Sequence, residues 1–143
     1  DKIIQIVMEE VRAFEKSTGK KIPIILGAGS NNTKDAVAYC ERAKAAGADA
    51  ALVVTPYYNK PSQKGLIAHF GEVAKAVDVP IILYNIPSRT GVNMSVDTVK
   101  TLAKKYKNLI KKTIKAIEES QEQFNKIIDK IKEPYEEDEN LPF

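Results

Sequence analysis

The chain of 143 residues is 43% hydrophobic and 29% charged, the balance of a globular protein large enough to bury one core. Its formal charge of +3 is small and spread along the sequence, which gives no reason to expect nucleic acid or an anionic membrane as partner. No apolar run approaches the roughly 20 residues of a membrane span, the first residues lack a signal-peptide profile, and Cys40 as the one cysteine excludes a disulfide scaffold or a cysteine-built metal site in a chain expected in a reducing cytoplasm.

Ile3, Ile4, Val7, Met8, Val11 and Phe14 recur at helical spacing and predict an amphipathic helix over 2–17, ended by Gly19. The apolar run IPIIL (22–26), closed by GAGSNN, predicts a strand buried on both faces and then a loop. A second helix over Thr33–Ala46 packs through Ala36, Val37, Tyr39, Cys40 and Ala43. Asn32 or Thr33 caps it and Gly47 stops it. AALVV (50–54) is a second strand and ends in TPYYNKP. Ser62 opens a third helix with Leu66, Phe70, Val73 and Val77 at helical spacing. PIILY (80–84) is a third strand with NIPSRTG as its exit loop, and Ser95 caps a fourth helix through Val99, Leu102 and Ala103. The strand centres Ile24, Leu52 and Ile82 lie 28 and 30 residues apart. That alternation requires parallel strands joined by crossovers, so the fold class is α/β, with three parallel strands in βαβαβ order. Spacing alone does not decide between an open sheet and part of a barrel.

Sites in either architecture form at the carboxyl ends of the strands. Three loops qualify: Gly27–Asn32, Thr55–Pro61 and Asn85–Gly91. GAGSNNT at a helix start could hold an anion on its free amides, but a tight loop with a helix cap is the simpler reading. His69, the single histidine, is expected at an exposed or half-buried helix position, and Cys40 in the core.

TPYYNKPSQKGLIAHF and PIILYNIPSRTGVNMS, preceded by GAGSNNT and GADAALVVTPYY, resemble the dihydrodipicolinate synthase family over nearly ninety residues, 22–108. Several separated motifs agree in order and spacing, which a lone glycine motif never provides. The resemblance implies a segment of a (βα)8 TIM barrel, the scaffold of a Schiff-base lyase that condenses pyruvate with aspartate semialdehyde in lysine biosynthesis. It implies no metal, no cofactor and a homo-oligomer. By the same resemblance Tyr84 acts in proton transfer beside the Schiff-base lysine. Tyr58 joins a hydroxyl relay reaching a neighbouring subunit, and Arg89 recognises the carboxylate of aspartate semialdehyde. The chemistry suits these residue types: a phenol both donates and accepts a proton, and a guanidinium presents the planar fork a carboxylate needs. Without the motifs, a tyrosine ending a strand is usually packing and a loop arginine a solvated charge; Tyr57 is expected to pack or to serve an interface.

Beyond Asn108 the pattern changes. The family continues with a short strand of the form NI-x-x-IKEA whose lysine forms the Schiff base, whereas here the sequence is NLIKKTIKAIEESQEQFNKIIDKIK. One register places Thr113 at the lysine position; another, needing a two-residue insertion, places Lys115 there. Leu109, Ile110, Thr113, Ile114, Ile117, Gln121, Phe124, Ile127, Ile128 and Ile131 keep three-to-four spacing, and no glycine or proline interrupts 93–132. Lys111, Lys112 and Lys115 within five positions suit a strand buried on both faces poorly. The expectation is one domain over 1–143: a barrel-derived core over 22–108, an amphipathic helix over 109–132 covering the inner face of the sheet, and an acidic tail over 133–143. Three functions stay open: the lyase itself, with Lys112 or Lys115 as nucleophile; an engineered or diverged non-catalytic α/β fragment; and a weak small-carboxylate binder using Tyr58, Tyr84 and Arg89.

Overall fold

The computed structural model describes residues 2–106, so the expected helix over 109–132, the tail over 133–143, Thr113, Lys112 and Lys115 lie outside the described residues. The elements follow the predicted order: α1 (Lys2–Thr18), β1 (Ile25–Gly27), α2 (Thr33–Ala45), β2 (Ala50–Val54), α3 (Gln63–Ala76), β3 (Ile81–Tyr84), α4 (Pro87–Thr90) and α5 (Val96–Lys105).

Side-chain caps start three of the helices. Asn32 accepts from the N–H of Lys34, Ser62 from Gly65 and Ser95 from Thr98, each satisfying a donor that has no partner inside its helix. At the end of α2 the N–H of Gly47 (φ +79°) reaches the carbonyl of Lys44 at 2.9 Å, and Ala48 reaches Ala43 at 3.1 Å. This paired closure needs a left-handed residue, which glycine supplies without strain.

The strands pair in parallel in the order β1-β2-β3, with Ile25 opposite Ala50, Leu52 opposite Ile82 and Val54 opposite Tyr84. Alternation sends Ala51, Val53, Ile81 and Leu83 to one face, where exposure is 7% or less. There they join Ala36, Cys40, Leu66, Phe70, Val99 and Leu102 of the packed helices α2, α3 and α5. On the opposite face Ile25 is 50% and Tyr84 41% exposed, and Leu52, Val54 and Ile82 are half-buried. Burial on both faces, expected for the first strand, is therefore not seen among the described residues. β1 is also shorter than the predicted 22–26.

Two helical positions depart from expectation. Tyr39, placed on the packed side of α2, is 41% exposed, with the Arg42 guanidinium 5.8 Å from its ring centroid. α1 buries no residue, and Ile3 is 79% and Phe14 45% exposed. Its attachment is instead partly polar. Arg12 donates to Glu15 at 2.8 Å, Asp49 at 3.1 Å and the Gly47 carbonyl at 3.2 Å, while Glu15 accepts from Ile22 N–H at 2.7 Å. The Ile24 N–H, with Arg12 assisting, holds the Asp49 carboxyl below its usual range.

His69 corrects the sequence reading more sharply. It is 5% exposed, its Nδ1 lies 2.9 Å from Thr33 Oγ1, and its ring meets Phe70 edge-on at 5.1 Å. His69 lies among the buried residues Leu66, Phe70, Gly71, Val73 and Ala74 of α3, so the imidazole that joins Thr33 to α3 is sealed from water. Its Nε2 is buried without a hydrogen-bond partner among the described residues, and burial lowers its pKa below the ordinary 6.5. The unfolded chain therefore takes up this proton more readily than the folded one. Stability is complete above 6.5 and is lost as pH falls toward the lowered folded value. Urea midpoints are expected to fall between roughly pH 7 and pH 5, above the main carboxylate range. With no other histidine in the chain, His69→Phe should flatten that slope; an equal slope in the variant would assign it elsewhere.

Candidate functional site at the strand carboxyl ends

The three strand exits form one connected surface. At the first, Ala28 N–H donates to the Leu52 carbonyl at 2.9 Å, and Gly29 lies directly against Val54. Ser30 Oγ accepts from Asn32 N–H at 3.2 Å and Asn32 Oδ1 from Lys34 N–H at 3.0 Å. Two amides an anion would use are thus already paired, as the plainer reading of GAGSNNT expects.

At the second exit, Thr55 N–H donates to the Tyr84 carbonyl at 2.9 Å, which continues the pairing of β2 with β3 past the end of β2. Asn59 Nδ2 then donates to the Asn31 carbonyl at 3.1 Å and ties this loop to the first. Tyr57 is 42% exposed and Tyr58 90%. Tyr58 also sits at φ +73°, and Lys60 at φ +41°. A left-handed conformation costs an L-residue roughly 1–2 kcal/mol, and a ring 90% exposed gains almost no burial within the described residues to offset it.

The third exit carries Tyr84 and Arg89. The predicted plain loop contains a helical turn, α4, because Pro87 sits at its first position and Gly91 (φ +70°) closes it with an N–H to the Pro87 carbonyl at 2.9 Å. The buried Thr90 hydroxyl lies 3.1 Å from the carbonyls of both Ile86 and Val92 and fixes the turn from inside. The Lys60 stem crosses Gly91 so closely that a Cβ there would be 2.9 Å from Lys60 Cε, which joins the second and third loops.

All three predicted residues are therefore on this surface. Tyr84 projects from the open sheet face beside Val54, Arg89 is exposed on the turn five residues later, and Tyr58 stands on the adjacent exit. Among the described residues no side-chain hydrogen bond joins them to one another. Sequence reasoning missed the amides that hold the loops: Asn59, Asn85 and Gln63. No periodicity marks them, because Asn59 and Gln63 act on residues 28 or more positions away and Asn85 on a loop eight and nine positions on. Cys40 is fully buried, and burial pushes its thiol up to about 11, which makes it inert at neutral pH. Among the described residues no cluster of three or more His, Cys, Asp or Glu could hold a metal ion, and no helix is long and apolar enough to cross a membrane. A groove of about 510 Å³ between α1 and α2, lined by Ile4, Met8, Arg42 and Ala45, includes none of the three site residues.

Residues 3–136 match the Dihydrodipicolinate synthetase family. The chain belongs to this family. It is 59% identical over 91 residues to the 4-hydroxy-tetrahydrodipicolinate synthase of Agrobacterium fabrum, a match covering 64% of this chain and 31% of that enzyme. The structure is similar to that of dihydrodipicolinate synthase from Aquifex aeolicus, with a TM-score of 0.65 and 49% identity over 76% of this chain and 36% of the other. It also resembles the chloride-inhibited dihydrodipicolinate synthase from Acinetobacter baumannii, solved in complex with pyruvate, with a TM-score of 0.59 and 48% identity over 70% of this chain and 34% of that one. The chain thus spans about a third of the length of these relatives. The similar solved structures are TIM-barrel proteins, of which this chain, with its three parallel strands, covers about a third.

Proposed function

We propose that this chain is a segment of a 4-hydroxy-tetrahydrodipicolinate synthase carrying the carboxylate-recognising and proton-passing side of the lyase site. We propose further that the chain alone binds a small carboxylate without forming the pyruvate imine. The observation that carries this is the shared placement of Tyr84, Arg89 and Tyr58 at adjacent strand exits, with Tyr84 on the open face of the sheet. In this reading the Tyr84 phenol takes up and returns a proton at the bound pyruvate, since a hydroxyl can donate and accept in turn. Arg89 forks the carboxylate of aspartate semialdehyde. Tyr58, strained and exposed, extends the hydroxyl relay toward a second subunit of a homo-oligomer. The fully buried thiol of Cys40 suits a reducing cytoplasm.

The imine itself requires a lysine amine to add to the pyruvate carbonyl with loss of water. The two candidates, Lys112 and Lys115, lie in a run whose helical spacing differs from the family's catalytic strand. Incubation with pyruvate and borohydride, followed by intact-mass and peptide analysis, is expected to give no adduct. In parallel, aspartate semialdehyde titration followed by NMR should show saturable binding that weakens on the order of tenfold or more in Arg89→Ala, since a charge-assisted pair contributes roughly 1.5–3 kcal/mol. An adduct at Lys112 or Lys115 would instead make the chain a lyase in its own right, and wild-type affinity in Arg89→Ala would remove the arginine from the site.

A further inference from the structure

Two side-chain amides outside the reacting set converge on the segment that follows Arg89. Gln63, in the first turn of α3, donates from Nε2 to the Asn93 carbonyl at 2.8 Å, and its Oε1 accepts from Ser95 N–H at 3.0 Å and from Thr98 Oγ1 at 2.7 Å. Asn85, directly after Tyr84, donates from Nδ2 to Asn93 Oδ1 at 2.7 Å and accepts at Oδ1 from Met94 N–H at 3.0 Å. Asn93, Met94 and Ser95 are therefore held from both sides, by the end of β3 and by the start of α3. Thr90 and Gly91 close the turn immediately before them.

We infer that Gln63 and Asn85 are positioning residues that hold the Arg89 turn and the Tyr84 exit in a single arrangement. The physical reason lies in how little else restrains that loop. Gly91, Asn93 and Ser95 are exposed, and only Met94, 3% exposed, and the partly buried Val92 reach the core. A ligand that pairs with Arg89 must otherwise order the loop itself, and that ordering subtracts from affinity. Gln63 is also the only described residue that couples the start of α3 to this segment through three hydrogen bonds. It lies one position after the Ser62 cap, so its bonds tie the segment after the second strand exit to the one after the third.

The inference rests on the proposed role of Arg89, and the test separates the two. In the full chain, amide hydrogen exchange and aspartate semialdehyde affinity would be measured for Gln63→Met, Gln63→Glu, Asn85→Ala and Arg89→Ala. Gln63→Met should accelerate exchange at Ser95, and Asn85→Ala at Met94, by about tenfold, the loss of one net hydrogen bond. Both should weaken aspartate semialdehyde binding by a similar factor while the urea midpoint of the fold stays close to wild type. Gln63→Glu keeps the acceptor for Ser95 and Thr98 and loses the donor to Asn93, so it should restore Ser95 protection and part of the affinity. Unchanged exchange at Ser95 in Gln63→Met, or faster exchange with unchanged affinity while Arg89→Ala loses binding, would overturn the inference. Unchanged affinity in Arg89→Ala would overturn the carboxylate reading instead, and the exchange rates would still decide the tether. Should Asn85→Ala fail to fold, the exposed Gln63 carries the test alone.

Discussion

Phe70→Ala is expected to lower the unfolding free energy by about 4 kcal/mol, the usual loss for emptying a phenylalanine site in a packed core. Phe70 is 0% exposed, the largest of the fully buried side chains, and sits where α3 meets both the sheet and its neighbouring helices. Its ring also closes one side of the His69 pocket, with the two rings at 83°. Truncation would leave a cavity beside an imidazole whose Nε2 already lacks a partner among the described residues, and water entering there would change the environment of that histidine. Urea unfolding monitored by circular dichroism measures the loss. The matching control is Ile3→Ala on α1, a side chain 79% exposed, which should shift stability by less than about 0.5 kcal/mol. A loss under about 1 kcal/mol for Phe70→Ala would mean that α3 does not seat on the sheet as described.

Gly29→Ala should cost about 3 kcal/mol, the upper range for forcing atoms into filled space. The added Cβ would stand 2.6 Å from both the backbone nitrogen and Cγ1 of Val54. Val54 is fixed by its pairing with Tyr84, so neither the nitrogen nor the sheet can yield cheaply. The first loop must move instead, and the Asn59 bond to Asn31 would be lengthened or broken. The effect should therefore appear twice: as a lower urea midpoint and as altered NMR shifts in the loop that carries Tyr58. Gly27→Ala, two residues earlier, meets nothing within 4 Å and should be neutral or stabilising by a few tenths of a kcal/mol through the unfolded chain. Equal effects at the two glycines would remove the close approach as the cause.

Much of the candidate site was legible because its residues lie in contiguous motifs. Tyr84 and Arg89 belong to LYNIPSRTG and Tyr58 to TPYYNKP, and strand-end chemistry in parallel sheets tells a reader where to look. The helical turn inside NIPSRTG was not legible, since four residues are too few to show a period; it depends on Pro87, Gly91 and a buried Thr90 hydroxyl acting together. His69 was misplaced for a related reason. A lone histidine on a helix is commonly half-exposed, and only the arrival of Thr33 from another helix makes its burial affordable.

By itself the sequence determined the order of strands and helices, the helix starts at Asn32 or Thr33, Ser62 and Ser95, and the family, through motifs that keep their order across 22–108. These are properties of local spacing and local hydrogen bonding, which a linear pattern records. Tertiary structure alone decided that one sheet face is packed and the other open among the described residues, and hence that Tyr84 stands on the open one. It also decided that Gln63 and Asn85 grip the segment after Arg89. An apolar strand looks the same from either side, and an amide that bonds a backbone some thirty residues away carries the same letters as one that faces water.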